Sequence, residues 1–293
     1  MKSGFVSLVG RPNAGKSTLL NRIVGSKLAI VSDKPQTTRN RIVGVKNYPE
    51  GQVVFTDTPG IHRPLHRMNV RMVDLAVESA RQSDLIGLVR DATVAAGSGD
   101  GFVRDLLGKG QVPIVLILNK IDLMAKPRLL PLIESAHAAF PFVEIVPVSA
   151  LDGTSVDRLE RVLLEHLPEG DALYPADYVT DQPERFFVAE IVREKVLEFT
   201  RNELPFSTAV VVDRFEEIDE KGLMRLYCSI LVERDSQKGI LVGRAGDMVK
   251  RVGTAARIDL EQFFQARVYL DLRVKVRSEW REDDRVLDEL GMK

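Results

Sequence analysis

The chain has 293 residues, enough for two domains that each bury a core of their own. With 44% hydrophobic and 28% charged residues, it excludes wholesale disorder and fibrous repeats. The net charge of −1 excludes a uniformly basic nucleic-acid binder, so any such contact must come from a local patch. The imbalance is uneven: residues 181–293 carry 20 Lys+Arg against 23 Asp+Glu, and the remainder 21 against 19. One cysteine, Cys228, rules out an internal disulfide and fits a reducing compartment. No apolar run is long enough to span a bilayer, and the strand pattern from Phe5 leaves no room for a signal peptide. The expected location is cytoplasmic.

In chain order, Phe5–Val9 reads as a buried strand and Lys16–Val24 as the helix that follows it. Ile42–Tyr48 and Gln52–Asp57 read as a hairpin about Pro49-Glu50-Gly51. Asp84–Asp91, Pro113–Asn119 and Val143–Val148 are apolar strands, separated by helical stretches near 69–82, 102–109 and 129–139. Val156–Leu167 closes the series as an amphipathic helix, with Leu159, Val162 and Leu163 along one stripe. This alternation predicts an α/β domain over 1–168, mostly parallel in its sheet. Pro168-Glu169-Gly170, Pro175 and Pro183 then punctuate a polar stretch, expected to be a linker over 169–184. Over 185–293 a small α+β domain is expected: a helix at Phe186–Glu198, strands at Ala209–Phe215 and Arg225–Glu233 around the Asp219–Gly222 turn, and helical spacing over Met248–Phe264. Its last strand alternates cleanly, with Val268, Leu270, Leu272, Val274 and Val276 on one face and Tyr269, Asp271, Arg273, Lys275 and Arg277 on the other.

Four short motifs carry the chemistry. Gly10-Arg11-Pro12-Asn13-Ala14-Gly15-Lys16-Ser17-Thr18 lies between a strand and a helix. Its backbone N–H groups can cradle a phosphate chain, Lys16 can reach the β- and γ-phosphates, and the Ser17 hydroxyl is a hard ligand for Mg²⁺. In Asp57-Thr58-Pro59-Gly60, the carboxylate ends a strand where it can hold Mg²⁺, and the Gly60 N–H can meet the γ-phosphate. Asn119-Lys120-Ile121-Asp122 selects the base. The Asp122 carboxylate accepts from N1–H and the N2 amino group of guanine, Asn119 braces the site and reaches N7, and the Lys120 stem covers one face of the base. Adenine offers neither proton, and a site built to bond a polar group rejects the analogue lacking it by about 10⁴-fold or more. In Ser149-Ala150-Leu151 the Ala150 N–H suits guanine O6. Within Pro35-Gln36-Thr37-Thr38-Arg39 a second hydroxyl ligand for Mg²⁺ is expected, either Thr38 or, failing that, Thr37. Ile61 follows Gly60 where Ras-like enzymes often place a water-orienting glutamine, so intrinsic hydrolysis should be slow. His62 and His66 are four apart, but Pro64 between them argues against a helical metal site and for a switch segment. Cys228, flanked by strand residues, is expected to pack.

In the second domain, Ile240-Leu241-Val242-Gly243-Arg244-Ala245-Gly246 leads into an amphipathic helix. The two glycines let a phosphate backbone approach closely, and such loops in KH domains clamp about four unpaired nucleotides. Lys238, Arg244, Lys250, Arg251 and Arg257 face only Asp247 in this stretch, a local net charge of +4. Gly243–Gly246, Lys238, Lys250 and Arg251 are therefore the candidate RNA contacts. Phe263 and Phe264 are expected in the core more than as stacking residues.

The loop Gly-Arg-Pro-Asn-Ala-Gly-Lys-Ser-Thr, the Gln-Thr-Thr-Arg, Asp-Thr-Pro-Gly-Ile and Asn-Lys-Ile-Asp resemble the TrmE–Era–EngA group of bacterial GTPases. A Ras-like P-loop domain followed by a type II KH domain, with Gln182-Pro-Glu-Arg-Phe and Glu190-Ile-Val-Arg-Glu-Lys195 at the start of the second, is similar to the Era family over nearly all of the chain. The resemblance implies GTP turned over to GDP with Mg²⁺ at Ser17, Thr38 and Asp57, and catalytic roles for Lys16, Asn13, Thr38 and Gly60. It implies a K⁺ ion at Asn13, in place of an arginine finger. It also implies binding to small-subunit (16S) ribosomal RNA near its 3′ end, a part in 30S assembly, and peripheral contact with the inner face of the membrane in some members. No DNA partner is expected, and the chain is expected to be a monomer. Ala245 departs from the family's usual glycine or basic residue and crowds the RNA backbone with a methyl group. A tRNA-modifying GTPase of the same group would carry a C-terminal cysteine arrangement that this chain lacks. An ATPase and a non-enzymatic RNA chaperone are the remaining competing functions.

The base assignment has a direct test. Asp122→Asn should weaken GTP binding by about 100-fold or more, since two hydrogen bonds to a charged acceptor are lost. It should improve xanthosine triphosphate binding, because xanthine presents a carbonyl where guanine has its amino group. Calorimetry on both nucleotides checks this; an unchanged preference for GTP contradicts it.

Overall fold

The computed structural model describes residues 1–34, 36–95, 97–107, 112–200, 204–220 and 222–292. Pro35, residues 108–109 of the expected third helix and Lys221 of the expected turn lie outside the described residues. The chain divides into two compact units, Met1–Leu65 with Asn69–Asp181, and Gln182–Lys293 with His66–Met68.

In the first unit β1 (Lys2–Val9), α1 (Lys16–Val24), β2 (Ile42–Tyr48), β3 (Gly51–Asp57), α2 (Arg67–Arg81), β4 (Leu85–Asp91), α3 (Ser98–Leu107), β5 (Ile114–Asn119), α4 (Leu129–Ala139), β6 (Glu144–Pro147) and α5 (Val156–Glu165) follow one another. The strands form one sheet in the order β2-β3-β1-β4-β5-β6. Only the β2–β3 pair is antiparallel. β1 begins at Lys2 and not at Phe5, because Lys2, Ser3 and Gly4 pair with Gly51, Gln52 and Val53. Polar residues there cost little in the apolar pattern, and the ladder extends through them. Parallel strands covered on both faces read as apolar runs, and β3 and β5 are buried along their whole lengths. The carboxyl ends of β1, β3 and β5 deliver Gly10, Asp57 and Asn119 to one edge of the sheet, where ligands bind in open α/β folds.

The second unit contains α6 (Glu184–Phe199), a one-turn α7 (Leu204–Ser207), β7 (Ala209–Glu216), β8 (Leu223–Val232), α8 (Asp235–Val242), α9 (Asp247–Phe264), β9 (Arg267–Val276) and α10 (Asp284–Glu289). Its sheet has the order β7-β8-β9, with β7 antiparallel and β9 parallel to β8. The alternation of the last strand corresponds to burial: Val268 through Val276 at every second position pack on one core with Val188, Val192, Leu226 and Leu260. Cys228 packs in the same core, and burial pushes its thiol up to about 12. The short α7 and the C-terminal α10 fall outside the elements expected from sequence. So does Trp280, fully buried with its Nε1 donating to the Ser207 carbonyl at 2.9 Å. Burial of so large a ring fixes the C-terminal segment to this unit. Among the described residues no helix is long and apolar enough to cross a membrane.

The stretch after α5, expected as a linker, lies on the first unit from Glu169 to Asp181. Glu169 bridges Lys2, and the Val45 N–H donates to the Val179 carbonyl at 2.8 Å. Tyr174 and Tyr178 stack at 4.8 Å and pack beside Val43, Val45 and Val54. One fully buried side chain holds this strap. Gln52 accepts from the Leu173 and Tyr174 N–H groups at 2.8 and 2.9 Å, and donates to the Tyr174 carbonyl at 2.8 Å. Replacing it leaves three part-buried backbone groups without this partner, each costing about 1 kcal/mol. Gln52→Leu should therefore destabilise the first unit by about 2–4 kcal/mol in urea unfolding and speed proteolysis over 173–179; unchanged stability and cleavage contradict the strap.

Candidate nucleotide site and RNA-facing loop

The phosphate loop runs from β1 into α1, and both of its glycines are demanded by geometry. A Cβ on Gly10, at φ 153°, would stand 2.2 Å from the Val89 carbonyl oxygen. One on Gly15, at φ 90°, would stand 2.2 Å from Asn119 Nδ2. Arg11, Pro12, Asn13, Ala14 and Thr18 complete the loop, with Ala14 buried and Arg11 and Asn13 exposed. Asn13 adopts φ 61° and donates from Nδ2 to the Asp33 carbonyl at 2.8 Å, tying the loop to the segment that holds Thr38.

Beneath the loop lies a charged knot. Lys16 is buried and donates to the Arg11 and Gly10 carbonyls at 3.1 and 3.4 Å. Desolvation holds its ammonium below the ordinary lysine range, opposed by Asp57. Asp57 is fully buried, and desolvation lifts its carboxyl above the usual range despite Lys16, Ser17 and Thr38. Ser17 Oγ donates to Asp57 Oδ2 at 2.6 Å, Thr38 Oγ1 donates to the same oxygen at 3.3 Å, and the two hydroxyls lie 2.8 Å apart. Asp57 Oδ1 is buried with no hydrogen-bond partner. Three hard oxygen groups, one of them a carboxylate with an unsatisfied oxygen, suit a small divalent cation such as Mg²⁺. Thr38 is the threonine at this knot; the Thr37 hydroxyl donates instead to the Lys34 carbonyl at 2.6 Å.

The Asp57-Thr58-Pro59-Gly60 turn is pinned at both ends. Thr58 Oγ1 donates to the Leu8 carbonyl at 2.9 Å, and the Ile61 N–H to the Gly10 carbonyl at 2.9 Å. Thr58 and Pro59 are buried, and a Cβ on Gly60 would stand 2.7 Å from Pro12 N and Cα. Ile61 is 1% exposed and packs with Val9 and Ala76. His62 follows it, half-buried, and pairs with Gln36, a contact that no sequence spacing announces. His66 stands outside any helical pair with His62, because α2 begins only at Arg67. Among the described residues no three His, Cys, Asp or Glu gather as metal ligands.

On the base side one carboxamide unites three motifs. Asn119, 2% exposed, donates to the Ala14 carbonyl at 2.9 Å and accepts from the Ala150 N–H at 2.9 Å. The Ala150 N–H, read from sequence as the partner of guanine O6, is thus directed at Asn119 here. Lys120 takes φ 68° and its Nζ lies 2.7 Å from Asp91 Oδ2, which extends the stem beside Asn119. Desolvation pushes the Asp91 carboxyl up, but bonds from Lys120 and Thr93 hold it below the usual range. Sequence reasoning missed this role of Asp91, though its place at the end of a strand beside β5 was a signal. Asp122 stands exposed on a single turn over Ile121–Leu123, its carboxylate open to a base. Ser149 is buried and its hydroxyl accepts from the Asp152 N–H at 3.3 Å, while Leu151 is exposed.

In the second unit, Gly243 and Gly246 take φ 73° and 80° between α8 and α9. A Cβ on Gly243 would stand 2.8 Å from the Met248 nitrogen. Ala245, at φ 52°, is exposed, so its methyl sits on the open side of the loop. Lys238, Arg244, Lys250 and Arg251 are all exposed around it. The Arg251 guanidinium also lies 5.0 Å from the Phe199 ring centroid. Phe264 packs on the core, whereas Phe263 remains 41% exposed and contacts Phe187.

Known proteins share both halves. Residues 5–120 match the family described as 50S ribosome-binding GTPase, and residues 203–281 match the KH domain. GTPase Era of Geobacter metallireducens is 49% identical over 99% of this chain and 97% of its own length. GTPase Era of Geobacter sp. (strain M21) is 51% identical with the same coverage. Among solved structures, an Aquifex aeolicus Era variant bound to GDP and AlF4⁻ superposes with a TM-score of 0.96 at 39% identity, covering 100% of this chain and 99% of that one. An Era complex with MgGDPNP and nucleotides 1506–1542 of 16S ribosomal RNA has the same TM-score, identity and coverage. With a phosphate loop, a guanine-reading edge and a KH loop in one chain, and such likeness along its whole length, the chain belongs to the Era family of GTPases.

Proposed function

We propose that the chain hydrolyses GTP slowly and uses its nucleotide state to control its grip on small-subunit ribosomal RNA near the 3′ end, during assembly of the 30S subunit. The observation that carries the enzymatic part is the knot of Ser17, Thr38 and Asp57 with its unpaired carboxylate oxygen, set beside the buried Lys16. Ser17, Thr38 and Asp57 would hold Mg²⁺, which draws negative charge from the phosphates. Lys16, already stripped of water, gains anionic partners when phosphates arrive, so nucleotide binding relieves its desolvation. Asn119 and Asp122 hold and select guanine, with Lys120 and Leu151 bordering the base. Asn13, on the exposed lip of the loop, would hold K⁺, which supplies positive charge against the phosphates. The Gly60 N–H would meet the γ-phosphate.

RNA binding rests on the cationic rim of the Gly243–Gly246 loop. A relative of this family has been solved with MgGDPNP and a 16S ribosomal RNA fragment together. Thr38 belongs to the segment that nucleotide state can order, and any coupling to RNA must be reciprocal: the state that favours RNA is favoured by it.

Multiple-turnover phosphate release from GTP, faster in K⁺ than in Na⁺ at equal ionic strength, is the expected result. RNA corresponding to the 3′ end of 16S ribosomal RNA should bind, and Arg244→Ala or Lys250→Ala should each lower the salt slope of that binding by about 1. Absence of phosphate release would leave a binding protein only. Equal rates in the two salts remove the K⁺ role, and an unchanged salt slope removes the rim.

A further inference from the structure

Ile61 cannot orient the attacking water, since it lacks a polar side chain and its alkyl group is buried in the core. The neighbouring residues offer a substitute. His62 Nδ1 lies 2.9 Å from the Gly60 carbonyl oxygen, and its Nε2 lies 3.1 Å from Gln36 Nε2. A carbonyl only accepts, so Nδ1 carries the proton. In the neutral ring Nε2 then presents a lone pair, and at 3.1 Å the amide NH₂ of Gln36 is the group that donates to it. The Gln36 carboxamide is thereby set one way round, and its Oε1 has no hydrogen-bond partner among the described residues.

Two further observations locate this group. Gln36 adopts φ 60°, a left-handed backbone that a glutamine seldom takes and that commonly marks functional strain. It also lines two cavities at once. One is the phosphate pocket with Lys16, Ser17, Thr38 and Gly60. The other is a neighbouring cavity of about 550 Å³, bordered by Asn13, His62 and Arg63. Gln36 therefore stands between the phosphate pocket and this neighbouring cavity.

We infer that Gln36 is the water-orienting residue of this GTPase and that His62 is the positioning residue that fixes the face its amide presents. This rests on the hydrolysis proposed above. Gln36 Oε1 accepts a hydrogen bond from the water; the water oxygen then bonds to the γ-phosphorus as the bond from that phosphorus to the β–γ bridging oxygen breaks. GDP leaves with that oxygen, and both water protons end on the phosphate product or in solvent, so neither Gln36 nor His62 changes its net protonation. The task of a glutamine after Gly60 is divided between two segments, one contributing the amide and the other its orientation.

The test is single-turnover GTP hydrolysis by the full chain, with affinity for a non-hydrolysable GTP analogue and thermal melting measured in parallel. Gln36→Ala and His62→Phe should each slow hydrolysis by about 10- to 100-fold while analogue affinity stays within about twofold, as expected for lost positioning. His62→Gln can donate to the Gly60 carbonyl and accept from Gln36, and should restore most of the rate. Because His62 acts through Gln36, the double variant Gln36→Ala/His62→Phe should be no slower than Gln36→Ala alone. Wild-type rates in His62→Phe, a multiplied loss in the double variant, or analogue binding that falls in step with the rate would each overturn the inference. If the unaltered chain releases no phosphate, the hydrolysis reading itself fails; hydrolysis that is indifferent to these variants refutes the pair alone.

Discussion

The carboxylate of Asp57 carries a cost that the rest of the site is built to offset. It is fully buried at the end of β3, shares one oxygen between the hydroxyls of Ser17 and Thr38, and leaves the other unpaired. A lone buried carboxylate would be expelled or neutralised, so its retention implies cationic partners. One is the Lys16 ammonium, itself desolvated; the other is the cation that the oxygen cluster suits. Three segments converge on this carboxylate: the loop before α1 through Lys16 and Ser17, the following segment through Thr38, and the turn through the Thr58 backbone. A change at the phosphate end is therefore felt at once in three stretches of chain.

The base side is organised on another principle. There Asn119, a neutral carboxamide, joins the phosphate loop to the strand end after β6 by bonding Ala14 and Ala150. Its carboxamide is thereby held on both sides by backbone. Such fixing favours discrimination, and in the proposed reading the Asp122 carboxylate would select the base next to this frame. The KH loop achieves its purpose by conformation: two glycines at positive φ leave the backbone bare, and cations stand around it.

Most of this was legible in the sequence, for identifiable reasons. The helix Lys16–Val24 and the strand Ile42–Tyr48 have the limits expected, because glycines, turn residues and apolar runs mark their ends sharply. The alternation from Val268 to Val276 places the last strand's buried face correctly, because a period of two admits one reading. What escaped was long-range. Gln52 looks like an ordinary strand residue, and nothing local says that its amide holds residues 173–174 some 120 positions away. Trp280 lies among charged residues that give no local sign of its burial, yet a carbonyl on the one-turn α7 takes its N–H. The pairing of Gln36 with His62 crosses 26 positions and depends on Ile61 turning inward, which only packing decides. The choice between Thr37 and Thr38 belongs to the same class, because adjacent residues point apart and spacing alone does not say which way.

The arrangement turns on Asp57 holding a divalent cation beside the nucleotide. This is tested most directly by the dependence of GDP affinity on Mg²⁺ concentration, compared between the unaltered chain and Asp57→Ala. The alanine variant should need about 10- to 100-fold more Mg²⁺ to reach the same enhancement, while its affinity in chelator changes little. A variant with the same Mg²⁺ dependence as the unaltered chain would contradict that role.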